Sequence, residues 1–457
     1  MMASPGKPRI VKVKFNCFDE TWSQLHCESK LTGPALDCNL DYIETQCQPL
    51  LVSFLHRNSS MPKFSDRAKS LPASPIRKLV PFAEAAKERG TKVFHLNIGQ
   101  PDIETPPQFF AAIANANLKV LAYSHSAGIE SLREQIAAYY QRLGHSIDLD
   151  EVMVTTGASE ALNFVFTALM NPGDEVIVPE PFYANYLSFA LGNDGTIVPV
   201  TSSVEQDFAL PPMEAFEARI TTKTRAILIC NPGNPTGVLY PREALEKLAE
   251  IAKKHDLFLI ADEVYREFVY DGNEHHSTLG LKGLEQNVVV IDSISKRFSA
   301  CGARIGCIVS RNAELMQMVL KMAQARLSPP TFGQLGAEAV YQLPPSYYDG
   351  VVQEYAKRRD ILKASLDQIP GVVCPHVNGA FYAMVRLPVA DSEDFCQWML
   401  EKFSYEGATV MMAPGAGFYA TPGLGQDEVR IAYVLNCDDL AQAMECLKKG
   451  LEAYNNR

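Results

Sequence analysis

Several features are missing from this 457-residue chain, and each absence removes a class of function. No apolar run approaches the roughly 20 residues of a membrane span. The longest candidate near the start, PLLVSFL at 49–55, is too short and too far into the chain for a usual secretory leader. Positive charge is not in excess. Lys and Arg number 42 against 53 Asp and Glu, a net charge of −11, so a basic nucleic-acid-binding face is not expected. The eleven cysteines include no CxxC pair. Cys17, Cys27, Cys38 and Cys47 are spaced too widely for a standard zinc site, and no metal is expected. Internal repeats and low-complexity blocks are absent. What remains is a soluble, reduced, cytoplasmic chain that touches neither membrane nor nucleic acid.

The composition, 47% hydrophobic and 21% charged, supports a large core and two or three domains. Residues 1–61 show no sustained period and read as an appended extension. They carry too many acids (Asp19, Glu20, Glu28, Asp37, Asp41, Glu44) for a transit peptide. SPIRKLVPFAEAAKERG, residues 74–90, predicts a short helix with Ser74 as N-cap, a break near Pro81 and a stop at Gly90. From there apolar runs of four to six residues alternate with amphipathic stretches: EVMVTTG, then ASEALNFVFTALM; AILICNP, then EALEKLAEIAKKH; then LFLIADE, VVVIDSIS and IGCIVS. This pattern predicts an α/β fold with a mostly parallel sheet covered on both faces. Beyond about residue 310 longer helices and the strands GAFYAMVRL, ATVMMAPG and EVRIAYVL predict a second, smaller α/β unit. The expected division is 62–110 as a segment packing with the small domain, 111–335 as the large domain and 336–457 as the small one.

In an open α/β sheet, ligands bind beyond the carboxyl ends of the strands. Those exits carry Gly157-Ala158-Ser159 opening a helix, Phe182-Tyr183, the rigid turn NPGNPTG with Asn234, Asp262 with Tyr265, and SISKRFSACGARIG with Ser293, Lys296 and Arg304. Each alone has an ordinary explanation: a helix cap, a core aromatic, a turn, a strand-end carboxylate, a solvated basic loop. Together they place an anion site, an aromatic face, an amide, a carboxylate, a phenol and an amine in one crevice. Pyridoxal phosphate chemistry uses all of them. Lys296 supplies the Schiff-base amine. Ser159, the N–H groups of Ala158 and Ser159, Ser293 and Arg304 supply phosphate donors. Asp262 keeps the pyridine nitrogen protonated, Tyr265 and Asn234 reach the ring oxygen, and Phe182 stacks on the ring. The chain is expected to turn through Gly302 so that Lys296 and Arg304 face one ligand, and Arg297 has no assigned role.

These residues resemble the class I aminotransferases, which share the fold type I pyridoxal-phosphate architecture. SISKRFSACGARIG resembles their Ser-x-x-Lys…Arg-x-Gly signature, and TGASEAL, NPGNPTG and ADEVY resemble three further motifs in the same order. The resemblance covers roughly 62–457 and implies more. Gly99 in LNIGQPDIETPP lies near the substrate carboxylate. Tyr123 in YSHSAGIESLREQI reaches a neighbouring subunit's phosphate, which makes the protein a homodimer with shared sites. Arg430 in VRIAYV grips the substrate α-carboxylate, a task for which a planar bidentate fork suits better than a lysine. The implied reaction moves an amino group from an amino acid to a 2-oxo acid, with Lys296 as general base and acid, Asp262 and Tyr265 assisting. Some aspartate-using relatives carry a lysine where Ser159 stands, Ala303 replaces a bulky aromatic, and Cys301 replaces a commoner Thr. A carbon–sulfur lyase on the same fold and a non-catalytic regulator fused to a DNA-binding module are the alternatives. Ammonia release without an acceptor marks the first. The second needs a basic helical module upstream, which residues 1–60 do not show.

Overall fold

The computed structural model describes residues 62–457; the expectations for 1–61 lie outside them. Asp66–Arg457 form one compact unit. Its centre is a seven-stranded sheet of β2 (Val152–Thr155), β3 (Glu175–Glu180), β4 (Thr196–Thr201), β5 (Thr224–Cys230), β6 (Phe258–Asp262), β7 (Val288–Ser293) and β8 (Gly306–Val309), in the order β2-β8-β7-β6-β5-β3-β4. Only β8 runs against the others, pairing antiparallel with both β2 and β7.

The continuous apolar runs are explained by burial on both faces. Along β5, Ile227 and Ile229 join one core cluster while Ala226 and Leu228 join the other. Leu259 and Ile260 divide the same way in β6, and Val290 and Ile291 in β7. Because the strands run together, the carboxyl ends of β2, β5, β6 and β7 open on one edge, with Cys230 paired to Asp262 and Asp262 to Ile291.

A third core cluster lies around two smaller sheets. β9 (Tyr382–Arg386) and β11 (Ala413–Pro414) flank β12 (Glu428–Ala432), both antiparallel to it. β10 (Ala408–Met411) pairs in parallel with β1 (Lys92–His95). ATVMMAPG is therefore split between two sheets.

The helix expected at 74–90 spans Val80–Glu88. Pro81 opens it instead of breaking it, because a proline costs no hydrogen bond in the first turn. Residues 75–79 form the turn before it, and Gly90 closes it at φ +83°. Among the described residues no helix is long and apolar enough to cross a membrane.

Candidate active site

The short helix Ile294–Arg297 follows β7 directly. Ser293 caps it, its hydroxyl accepting from the Ser295 N–H at 3.0 Å. That hydroxyl is buried and also bonds Ser295 Oγ at 2.7 Å and the Ile305 carbonyl at 2.9 Å. One turn of helix then lifts the half-buried Lys296 to the sheet edge. Its Nζ donates to the Gly99 carbonyl at 2.7 Å, lies 3.9 Å from Cys301 Sγ and 6.0 Å from the centre of the Tyr265 ring. Lys296 and Gly99 meet although 197 positions separate them.

Gly99 cannot carry a side chain here, since a Cβ would sit 1.7 Å from the Tyr382 hydroxyl. That hydroxyl pairs with the Tyr265 hydroxyl at 2.9 Å.

Arg430 projects from β12 into the same place and is 1% exposed. Nη1 donates to Asn234 Oδ1 at 2.9 Å and Nη2 to the Asn97 carbonyl at 2.5 Å. The guanidinium is flanked by Tyr382, 4.6 Å from its ring centre, and Phe418, at 5.0 Å. Nε has no partner, and no carboxylate of the described residues forms an ion pair with Arg430. Burial pulls its pKa below the usual arginine value. A buried guanidinium without a counter-charge is costly, and an anionic ligand removes that cost.

Asp262 at the end of β6 is buried. It accepts from the Tyr186 hydroxyl at 2.7 Å and from the Val264 N–H at 3.4 Å. Desolvation pushes its carboxyl up to about 6, against the bonds from Tyr186 and Val264 and the nearby charge of Lys296. A carboxylate in this setting calls for a proton or a cationic N–H. Without such a partner, the folded protein holds this proton at a pH where the unfolded chain has released it. Ionisation then opposes folding as pH rises from about 4 through about 6. Asp262→Asn, fixed in the neutral form, is expected to exceed the wild-type apoprotein in stability by up to about 3 kcal/mol near pH 7, and to lose that advantage near pH 4. Urea unfolding of both apoproteins at the two pH values measures it, and an advantage independent of pH contradicts the expectation.

At the opposite end, the helix Gly157–Leu169 begins where β8 and Arg304 approach. A Cβ on Gly306 would sit 2.7 Å from the Ala158 nitrogen, and one on Gly157 would lie 2.4 Å from Arg304 Nη2. Arg304 is exposed, with Nη1 on the Cys301 carbonyl at 3.0 Å and Nη2 reaching the Thr156 carbonyl at 3.5 Å. Ser159 is half-buried at the start of the helix. The loop turns at Ser299 (φ 50°) and Arg304 (φ 54°), whereas Gly302 lies in a short 3-10 turn without positive φ. The turn expected at Gly302 is thus made by its neighbours.

Phe182 is buried in the core and stacks on Tyr186, with ring centres 6.3 Å apart. Tyr183 is half-buried and packs edge-on against Tyr186 with ring centres 5.4 Å apart, and burial raises its phenol to about 12. Tyr123 is 78% exposed on the surface. Tyr186, Tyr382 and Asn97 were not singled out in the sequence. Tyr186, three residues after Tyr183, repeats at helical spacing, and only that periodicity hinted at it.

The sequence model of the family "Aminotransferase class I and II" matches residues 91–447. The chain belongs to that family. It is 32% identical over 396 residues to an aspartate aminotransferase of Geobacillus stearothermophilus, covering 86% of this chain and 99% of that protein. It is 30% identical to aromatic-amino-acid aminotransferase 2 of Thermococcus litoralis over 396 residues, 85% of this chain and 98% of the relative. Among solved structures, the alanine aminotransferase of Pyrococcus furiosus superposes with a TM-score of 0.79 at 30% identity, covering 86% of this chain and 100% of that one. The aspartate aminotransferase of Thermotoga maritima gives 0.78 at 31%, covering 85% and 100%. This aminotransferase has the fold type I architecture and depends on pyridoxal phosphate for moving an amino group between an amino acid and a 2-oxo acid. The residues present fit that cofactor. A buried carboxylate with a raised pKa suits its ring nitrogen, an amine suits its aldehyde, and a helix N-terminus beside an arginine suits its phosphate.

Proposed function

We propose that the reaction is carried by Lys296, Asp262 and Tyr265, with Arg430 holding the substrate α-carboxylate. The observation that carries this reading is Arg430, buried beside Asn234 with no carboxylate partner among the described residues, and within the cluster that includes Lys296. When bound, pyridoxal phosphate supplies an aldehyde that joins amines and a protonated ring that withdraws electrons from the substrate α-carbon. Lys296 Nζ, freed from the Gly99 carbonyl, would take up the substrate α-proton and give it back. Asp262 keeps the ring nitrogen protonated, and Tyr186 keeps Asp262 in place. Tyr265 and the Asn234 amide nitrogen hold the ring oxygen. Tyr183 stacks on the ring in the role first expected of Phe182. Gly157, Ala158, Ser159, Ser293 and Arg304 hold the phosphate, Ser293 giving up its bond to Ile305 to do so.

Arg430→Gln is expected to raise the KM for amino donors about 100-fold with a smaller change in kcat, because charged hydrogen bonds to the α-carboxylate are lost in ground and transition states alike. Steady-state kinetics with a panel of donors against 2-oxoglutarate tests this. An unchanged KM removes Arg430 from the substrate site.

The exposed Leu118, Val120, Leu121 and Tyr123 support a homodimer in which Tyr123 completes a second subunit's phosphate site. Pairing of β1 with β10 supports 62–110 as a segment that packs with a small domain at 336–457, apart from a large domain at 111–335. Seven free cysteines among the described residues support a reducing, cytoplasmic setting.

A further inference from the structure

We propose that Glu180 is a positioning residue for the substrate α-carboxylate site: its carboxylate fixes the loop 415–427, and with it the aromatic wall that Phe418 sets against Arg430. This rests on the reading above, in which Arg430 holds the α-carboxylate.

The loop joins β11 to β12, the strand that carries Arg430. Its sequence gives it little shape of its own. Four of the eleven residues 415–425 are glycines, and two of them, Gly423 and Gly425, stand at positive φ (86° and 67°). Such a segment loses much backbone freedom on ordering, so bonds to its surroundings must set its position. On one side they come from β12. Gly415 lies so close to it that a Cβ there would sit 2.6 Å from the Glu428 carbonyl oxygen, and the Tyr419 hydroxyl donates to Glu428 Oε2 at 2.6 Å. On the other side they come from the end of β3. Glu180 Oε2 accepts from the N–H groups of Ala420 at 2.8 Å and Thr421 at 3.1 Å, and the Phe182 N–H donates to the Phe418 carbonyl at 2.9 Å. Phe418 lies between these ties, fully buried, with its ring centre 5.0 Å from the Arg430 guanidinium.

Glu180 is itself fully buried, and its other oxygen, Oε1, accepts from the Thr201 hydroxyl at 2.7 Å. Among the described residues no cation forms an ion pair with it. The carboxylate is thus held by neutral donors, one hydroxyl on the neighbouring strand and two N–H groups of the loop. Such N–H bonds to a carboxylate are stronger than those between neutral groups, and a buried carboxylate deprived of them is costly. The loop therefore cannot shift without stranding a carboxylate in the core, and removing the carboxylate releases the loop. With Phe418 displaced, Arg430 keeps only the Tyr382 face, 4.6 Å away, and the fork that meets the substrate is less firmly aimed. Lys296 and Asp262 stand at the exits of β7 and β6, so the proton-handling groups are not part of this tie. Glu180 acts on the substrate only through Phe418 and Arg430.

The test uses the holoenzyme and the 2-methyl analogues of aspartate, alanine and phenylalanine, which join the cofactor but have no α-proton to lose. Their Kd is read from cofactor absorbance. Glu180→Ala is expected to raise the Kd of the analogue that the wild type binds best about 10-fold, while cofactor bound per folded protein stays as in wild type. Glu180→Gln keeps an oxygen for the two N–H groups and an amide for the Thr201 hydroxyl, and is expected to stay within about 2-fold of wild type. Glu180→Asp draws the carboxylate back from the loop, is expected to raise Kd about 3- to 10-fold, and serves where Glu180→Ala does not fold. Phe418→Leu is expected to weaken binding as well, and a Glu180 substitution added to it should weaken binding little further. A purely structural role lowers the yield of folded, loaded protein and leaves the Kd of the remainder unchanged, which overturns the proposal. Additive losses at Glu180 and Phe418 overturn it too. A wild type that converts no amino donor at all overturns the transaminase reading beneath it instead.

Discussion

Lys296→Ala is expected to lower single-turnover transamination on the order of 10⁴-fold while leaving the fold intact. The size follows from the work that falls to one atom. In the proposed reaction Nζ is the amine for the cofactor aldehyde and the group that carries the α-proton, so its removal takes out a nucleophile and a general base at once. The fold should survive because the side chain does little structural work. It is half-buried, and its one short bond is to the Gly99 carbonyl at 2.7 Å. Chemical denaturation should therefore agree with wild type to within about 1 kcal/mol. A small primary amine supplied in solution should recover part of the rate, since it replaces the base without the tether. A variant that keeps a tenth or more of the wild-type rate contradicts the assignment. So does one that loses activity only in proportion to lost folded protein.

How far the site was legible depended on whether its parts were local. Each strand exit announces itself in a few consecutive residues, so Asp262, Asn234, Ser159 and Lys296 could be picked out from apolar runs ending in polar turns. Pairings across the chain leave no such trace. β1 joins β10 across more than three hundred positions, and nothing in KVFH or ATVM names the partner. The family resemblance put Arg430 at the substrate carboxylate, but nothing local in VRIAYV shows that Asn97, Asn234 and Tyr382 enclose it. The choice between Phe182 and Tyr183 turned on a single step along the chain. Composition cannot decide which of two adjacent aromatics faces the core. In the fold both rings meet Tyr186, Phe182 stacked at 6.3 Å and Tyr183 edge-on at 5.4 Å, and Phe182 is the more deeply buried.

Arg297 is where the sequence misled most, and it carries the second large expectation. A basic residue just after a strand reads as solvated, and substituting it at a surface costs within about 0.5 kcal/mol. In the fold it is 1% exposed. Nη2 donates to both oxygens of the buried Asp292, at 2.8 and 2.6 Å. Its guanidinium lies 4.4 Å from the centre of the Tyr139 ring and 5.8 Å from that of Tyr341, and Nε is 3.9 Å from Glu267 Oε1, so Nε and Nη1, without hydrogen-bond partners among the described residues, have aromatic faces and a carboxylate nearby. Asp292 also accepts from the Tyr140 hydroxyl at 3.1 Å. Arg297→Met leaves that carboxylate buried without its cation, and is expected to cost about 3–5 kcal/mol in chemical denaturation. The double variant Asp292→Leu with Arg297→Met removes both charges and should lose much less than the two single losses added, a coupling of at least about 2 kcal/mol. Additive losses, or a single-variant loss no larger than a surface change, mean that the pair does not act as a unit. Because Arg297 adjoins Lys296 on the same four-residue helix, the pair also anchors the turn from which the Lys296 amine projects. Its loss should therefore lower kcat in the molecules that remain folded, whereas a remote destabilising substitution lowers only their number.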